Sequence, residues 1–171
     1  TSSKTILMNE QGGFSNKQLI NMFNDFLGVN GVYAVNPLID EPNGHLDMFM
    51  TLLDKNLAVV AEMDPALDSE NSALLNEAAD IISSISTPSG PMEVRRIPMP
   101  PPSSNKQWGD WRSYTNVIMA NGVLLMPSYS DVDPSLENLS KQVYRSALPP
   151  DWEIKRINCD PLAGFRGQLH C

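Results

Sequence analysis

Two stretches of this chain repeat each other in outline, and a repeat restricts the fold more than any single element, because both copies must form the same supersecondary unit. The first runs from Asp47 to Leu53, turns at Asp54-Lys55-Asn56 and continues from Leu57 to Met63. It then opens a helix at Asp64-Pro65 and Asp68-Ser69-Glu70-Asn71, which extends to Ile85, and closes with Met92 to Ile97. The second runs from Asn116 to Ala120, turns at Asn121-Gly122, continues from Val123 to Met126, opens a helix at Asp133-Pro134 reaching Ala147, and closes with Glu153 to Ile157. Even the phrases DPALDSEN and DPSLEN correspond. Each copy reads as strand, hairpin, strand, helix, strand, so the expected fold is α+β, with a ββαβ module used at least twice.

Before the repeat, Thr5 to Asn9 is expected as a short strand and Gln11-Gly12-Gly13 as a loop. Ser15 should cap a helix whose apolar residues Leu19, Ile20, Met22, Phe23, Phe26 and Leu27 recur at helical spacing, with Gly28 ending it. Gly31 to Val35 reads as the next strand. Between the copies, Ile97 to Ser104 carries too many prolines for a helix or a central strand, and is expected as a surface loop or extended crossover. The resulting division places 1–45 as the end of a preceding module and its connection, 46–98 and 114–158 as modules, 99–113 as the Pro-rich loop and 159–171 as a terminal loop, all in one domain.

Composition narrows the partners. With 171 residues, 42% of them hydrophobic, the chain can bury one substantial core. A net charge of -8 with only 12 scattered Lys and Arg excludes nucleic acid as the expected partner and suits a cationic ligand better. Its apolar runs are of strand length, short of the roughly 18 to 20 residues that span a bilayer, so no membrane partner is expected. The opening Thr-Ser-Ser-Lys lacks a signal-peptide pattern and leaves the compartment open. The two cysteines, Cys159 and Cys171, could form one disulfide, but neither sits in CxxC or Cys/His zinc spacing.

The polar residues at the strand starts carry the chemistry. His45 precedes Asp47 by two positions, and strand alternation would put both on one face. Asn116 occupies the place of Asp47 in the second copy, after Ser113-Tyr114-Thr115. The chain then ends Gly164-Phe-Arg-Gly-Gln-Leu-His-Cys171. A cysteine beside a histidine can be a nucleophile, since an imidazolium or a polar pocket lowers a thiol's pKa. Singly, each residue has a plainer reading: Cys171 as a small buried hydrophobe, His45 as a core or surface histidine, Asp47 as a cap, Asn116 as a strand-end hydrogen bonder. Trp108 and Trp111 suit an aromatic wall or, more simply, anchors for the Pro-rich loop. Arg95 and Arg96 suit a solvated strand face, and Arg166 a contact to a substrate carboxylate near Cys171.

The blocks GHLDMF at Gly44 to Phe49, SYTN at Ser113 to Asn116 followed by ANGVLLMPSY at Ala120 to Tyr129, and GQLHC at Gly167 to Cys171 resemble, in that order, the signatures of the bacterial agmatine deiminase and peptidylarginine deiminase family. The resemblance covers essentially the whole chain. It implies a pseudo-symmetric α/β propeller of ββαβ modules, the pentein fold, around a polar site. It also implies Cys171 as nucleophile, His45 as general acid and base, Asp47 as the carboxylate that binds the guanidinium, and Asn116 as a polar neighbour. A planar guanidinium can give a carboxylate two N–H groups in a fork, fixing its carbon for attack by a thiolate. No metal or organic cofactor is needed.

The expected partner is thus a cationic guanidino substrate, with peptidylarginine first and agmatine second. The former implies a secreted protein and the latter a cytoplasmic one. Two departures from the agmatine deiminase pattern point to a peptidylarginine-type or otherwise divergent substrate site: Phe165 and Arg166 stand in place of a glycine run, and Glu41-Pro42-Asn43 in place of a Thr-Asp-Gly-like approach to Gly44. The family also uses a further carboxylate and whole modules that this chain does not carry, so the chain is expected to be a fragment that needs the remainder of its own domain. The rival readings are a non-catalytic guanidinium-binding module and a cysteine peptidase or amidase with a Cys171/His45 dyad.

Overall fold

The computed structural model describes residues 1–102, 111–165 and 167–171. It opens with a helical hairpin. Helix α1 (Ser3–Gln11) is capped by the Ser2 side chain, which accepts from the Lys4 N–H, and α2 (Asn16–Leu27) by a reciprocal Ser15/Gln18 capping box, with Gly28 left-handed at its end. Helix α2 is the helix expected from its caps. The expected strand over Thr5–Asn9 is instead the body of α1. Three apolar residues, Ile6-Leu7-Met8, are too short a run to separate the two periodicities, and the Ser2 cap and packing on α2 decide for helix. The expected strand Gly31–Val35 contributes a single parallel bridge, Ser2 to Val35, because the partner strand it would need is that helix.

Two three-stranded sheets follow. In the first, β1 (Met50–Asp54) pairs antiparallel with β2 (Leu57–Glu62), which pairs parallel with β5 (Glu93–Pro98) after the crossover helix α3 (Ser69–Ser83). A small ladder of β3 (Ser86–Thr87) with β4 (Gly90–Pro91) precedes β5. In the second sheet, β6 (Ile118–Ala120) pairs antiparallel with β7 (Val123–Ser128), and β7 pairs parallel with β8 (Glu153–Asn158) after α4 (Pro134–Ala147). A short α5 (Asp160–Ala163) leads to the chain's end.

Local chemistry explains these elements. Asn121 and Gly122 both have positive φ, 52° and 77°, which is the backbone a two-residue hairpin needs to match strand twist. Asp68 caps α3 by accepting from the Asn71 N–H, and Asp133 caps α4 by accepting from the Ser135 N–H, so both Asp residues act as start signals. Strand β2 reads Leu-Ala-Val-Val-Ala-Glu and is buried through its centre, as a strand flanked on both sides must be.

The sheets share one core. Val59, Leu75 and Ile97 from the first pack in the same cluster as Leu124, Met126 and Tyr144 from the second, and α4 lies against β5. Tyr144, fully buried, donates its hydroxyl to the Tyr114 carbonyl at 2.7 Å, tying α4 to the segment that leads into the site. Among the described residues no helix is long and apolar enough to cross a membrane.

Candidate active site

Three segments meet at one edge of the two sheets: the loop before β1, the turn before β6 and the end of the chain. The first is shaped by Glu41. This buried carboxylate accepts the backbone N–H groups of Asn43 and His45, each at 3.1 Å, and of Gly44 between them. Gly44 sits at φ 70°, and a Cβ there would lie 2.8 Å from the Cδ of Lys4, whose ammonium holds the Pro42 carbonyl. The positive φ favours glycine here, and any larger residue would also displace the Lys4 side chain. The tight turn delivers His45 to the start of a 3₁₀ helix, Leu46–Met48, in which Met48 is buried and Asp47 turns toward the site. His45 and Asp47 are therefore not neighbours on one face of a strand, as alternation suggested. The pair converges because one helical turn, pinned by Glu41, precedes β1.

The second segment is a run of side-chain clasps. Tyr129 accepts from the Ser113 N–H at 3.0 Å and donates to its carbonyl at 3.1 Å. The Ser113 hydroxyl accepts from the N–H groups of Thr115 and Asn116, and Thr115 Oγ1 donates to the Asp47 carbonyl at 3.1 Å. Asn116, fully buried, is the junction of all three segments. Its Nδ2 donates to Asp47 Oδ2 at 2.8 Å, and its Oδ1 accepts from the N–H groups of Gln168, His170 and Cys171 at 3.3, 3.0 and 3.3 Å. Gln168 adds a bond from Nε2 to the Trp111 carbonyl at 2.8 Å.

Cys171 Sγ lies 3.7 Å from His45 Nδ1, and the ligand atoms of His45, Asp47 and Cys171 all fall within 4.8 Å of one another. His170 Nδ1 lies 3.0 Å from Asp47 Oδ2, the same oxygen that Asn116 holds. Sequence reasoning assigned no role to His170 or Glu41. The acidic approach to Gly44 and the His-Cys pair were visible, but a carboxylate gathering backbone N–H groups and a histidine reaching across 123 residues are tertiary facts.

Burial pushes the Cys171 thiol above its ordinary value, and the negative charges of Asp47 and Glu41 push it further the same way. Burial first, and then the carboxylates of Asp47 and Glu41, set this direction, which is opposite to the lowering that a neighbouring imidazolium would give. Cys159 is buried behind β7 and β8 and is likewise raised, chiefly by burial; both cysteines are free thiols.

The remaining candidates divide. Trp111 is a buried anchor whose Nε1 donates to the Asp40 carbonyl at 3.0 Å. Arg95 pairs with Glu93, and Arg96 donates to the Ala61 carbonyl at 2.8 Å and to Asn76 at 3.0 Å, so both serve their own sheet and helix. Arg166, Trp108 and the rest of 103–110 in the Pro-rich loop lie outside the described residues.

Comparison with solved structures defines the class of fold. The chain superimposes on a candidate peptidyl-arginine deiminase with a TM-score of 0.84 at 21% identity, covering 100% of this chain and 51% of that one. A candidate arginine deiminase from Porphyromonas gingivalis gives 0.80 at 25% identity, covering 94% and 47%. An agmatine deiminase from C. jejuni with substrate bound gives 0.80 at 18% identity, covering 99% and 49%. The fold is the mixed α+β fold of deiminase structures, and this chain spans about half the length of each. No curated protein sequence matches it. The profile of the Porphyromonas-type peptidyl-arginine deiminases matches residues 1–171, and the chain belongs to that family.

Proposed function

We propose that this chain carries the nucleophile half of a deiminase that hydrolyses a guanidino C–N bond, converting peptidylarginine to peptidylcitrulline and ammonia. The observation that carries the reading is the meeting of Cys171, His45 and Asp47, held together by Asn116 from segments far apart in sequence. Family membership and the deiminase structures support the same reading. The two sheets are read as ββαβ modules, 46–98 and 114–158, of a pseudo-symmetric propeller whose other modules complete the site.

Asp47 receives the guanidinium as a bidentate partner, which places the central carbon near Sγ. The docked cation offsets the part of the upward push that comes from Asp47 and Glu41, and the thiol proton passes to His45, leaving a thiolate beside an imidazolium. Sγ adds to the carbon, His45 as imidazolium gives a proton to the departing ammonia, and an amidino-thioether remains on Cys171. Neutral His45 then takes a proton from water, whose oxygen adds to the same carbon. The C–S bond breaks, and the products are the ureido group and the free thiol. The alternative substrate is agmatine, on which a solved deiminase of the same fold is named as acting.

Intact-mass analysis after incubation with a haloacetamidine, on this chain and on the longest form of the protein, tests the reading. A single adduct on Cys171, suppressed by excess arginine-type ligand, is expected on the longer form at least. Adducts that arginine does not suppress, or none on either form, overturn it. Citrulline in peptides against N-carbamoylputrescine from agmatine then separates the two substrates.

A further inference from the structure

We propose that His45, Asp47 and Cys171 also form a binding site for a zinc-class divalent cation, which caps Cys171 and holds the site off. The binding stands on geometry alone; its consequence for activity rests on the role proposed above for Cys171.

The three residues are the one group of His, Cys, Asp and Glu among the described residues whose donor atoms gather closely enough to share an ion. Zinc bonds of about 2.3 Å to sulfur and about 2.0 Å to imidazole nitrogen, at a tetrahedral angle, separate S from N by roughly 3.5 Å. Cys171 Sγ and His45 Nδ1 are 3.7 Å apart, so two ligands already stand close to one tetrahedral edge. The third needs a small movement, since all the donor atoms lie within 4.8 Å. Asp47 is held for this on one side: Asn116 and His170 occupy Oδ2, and among the described residues nothing bonds Oδ1. Ligand carboxylates are usually oriented in this way by an outer ring of hydrogen bonds.

The donor set selects the cation. One thiolate, one imidazole and one carboxylate suit zinc and its neighbours, whereas magnesium and calcium take oxygen ligands. Three protein ligands leave a fourth position open, and His45 and Cys171 are both exposed, so the ion can enter from solvent. Asp47 and Glu41 lend negative charge to the place a dication would occupy. On binding, the thiol proton leaves to solvent, the S–Zn bond forms, and no electron is transferred.

Cobalt(II) is the probe, because a thiolate on tetrahedral cobalt gives an intense near-ultraviolet charge-transfer band with visible d–d bands. The expected result is one cobalt per chain with that band, displaced by one equivalent of zinc. In Cys171→Ser the band is lost, and zinc binding weakens at least tenfold in that variant and in His45→Gln. Zinc should also slow iodoacetamide alkylation of Cys171 at least tenfold, with recovery on chelation, while guanidinium-directed labelling of the metal-free protein proceeds. Cobalt bound without the charge-transfer band, or alkylation indifferent to zinc, overturns the site. Zinc protection of this chain, with no haloacetamidine adduct on it or on the longest form of the protein, upholds the metal site and removes the deiminase reading instead. Both variants replace exposed side chains, so wild-type circular dichroism is expected of each, and Asp47→Asn gives a third variant for the same assay.

Discussion

At the scale of single residues, Asn116 decides whether the site exists. Its side chain spans the gap between Asp47 and the last turn of the chain, and its buried Oδ1 gathers three backbone N–H groups. Asn116→Ala leaves the Gln168 N–H without its acceptor in a buried place, at a cost of about 1 to 3 kcal/mol. The expected outcome is a lower urea midpoint together with faster proteolytic cleavage within residues 164–171. An unchanged cleavage rate would mean that the end of the chain is held by something else. Asn116 is legible in the sequence through its alignment with Asp47, which points to a shared axis, and through the SYTN block of the family resemblance. Its structural role, as a clasp more than as a second ligand, depends on which atoms meet across 52 to 55 residues.

Among the elements, the helices and the hairpin whose punctuation is unambiguous are the most readable. Ser15 with Gln18 and Gly28, Asp68, Asp133 and the Asn121-Gly122 turn each satisfy a specific backbone need, so α2, α3, α4 and the second hairpin follow from local chemistry. The strand expected over Thr5–Asn9 fails because Ile6-Leu7-Met8 fits either period, and the Ser2 cap and the packing on α2 decide between them. Strand alternation does not account for the His45 and Asp47 pair, since the residues lie at and within a 3₁₀ turn, whereas the GHLDMF block points to both without that argument. The Asp133 cap yields a pH prediction. The Ser135 backbone N–H, and then its side chain, hold the Asp133 carboxylate below its ordinary value. A depressed carboxylate stabilises the fold above its unfolded value, near pH 4, and that contribution disappears as pH falls through the lower folded value. Asp133→Asn keeps the cap but not the charge. Urea unfolding should show the wild type more stable at neutral pH, with the two converging as pH drops below about 4. A gap that stays constant with pH would show that charge has no part in the cap.

For the molecule as a whole, the informative contrast is between a closed core and an open helical face. Both sheets contribute to one cluster of buried residues, yet the α1–α2 hairpin presents Phe26 at 81% exposure, Leu27 at 67%, Met8 at 62% and Leu7 at 54%. Four large apolar side chains more than half exposed on one hairpin make it the place where this chain is expected to associate. The chain also spans only about half of the structures it resembles, as 51% and 47% coverage show, so the fold they share continues beyond what this chain provides. In isolation the face has only another copy to cover it. Concentration-dependent self-association is therefore expected by sedimentation velocity at tens of micromolar, an estimate set by the roughly micromolar affinity of modest apolar contacts. Phe26→Lys with Leu27→Lys should restore a monomer. These side chains lie outside the core, so thermal unfolding should change by less than about 0.5 kcal/mol in stability. A wild-type chain that stays monomeric throughout that range would show that the hairpin is soluble as it stands. Association that persists in the double variant would move the sticky surface elsewhere, with the exposed edge of β1 at Leu52 as the next place to substitute.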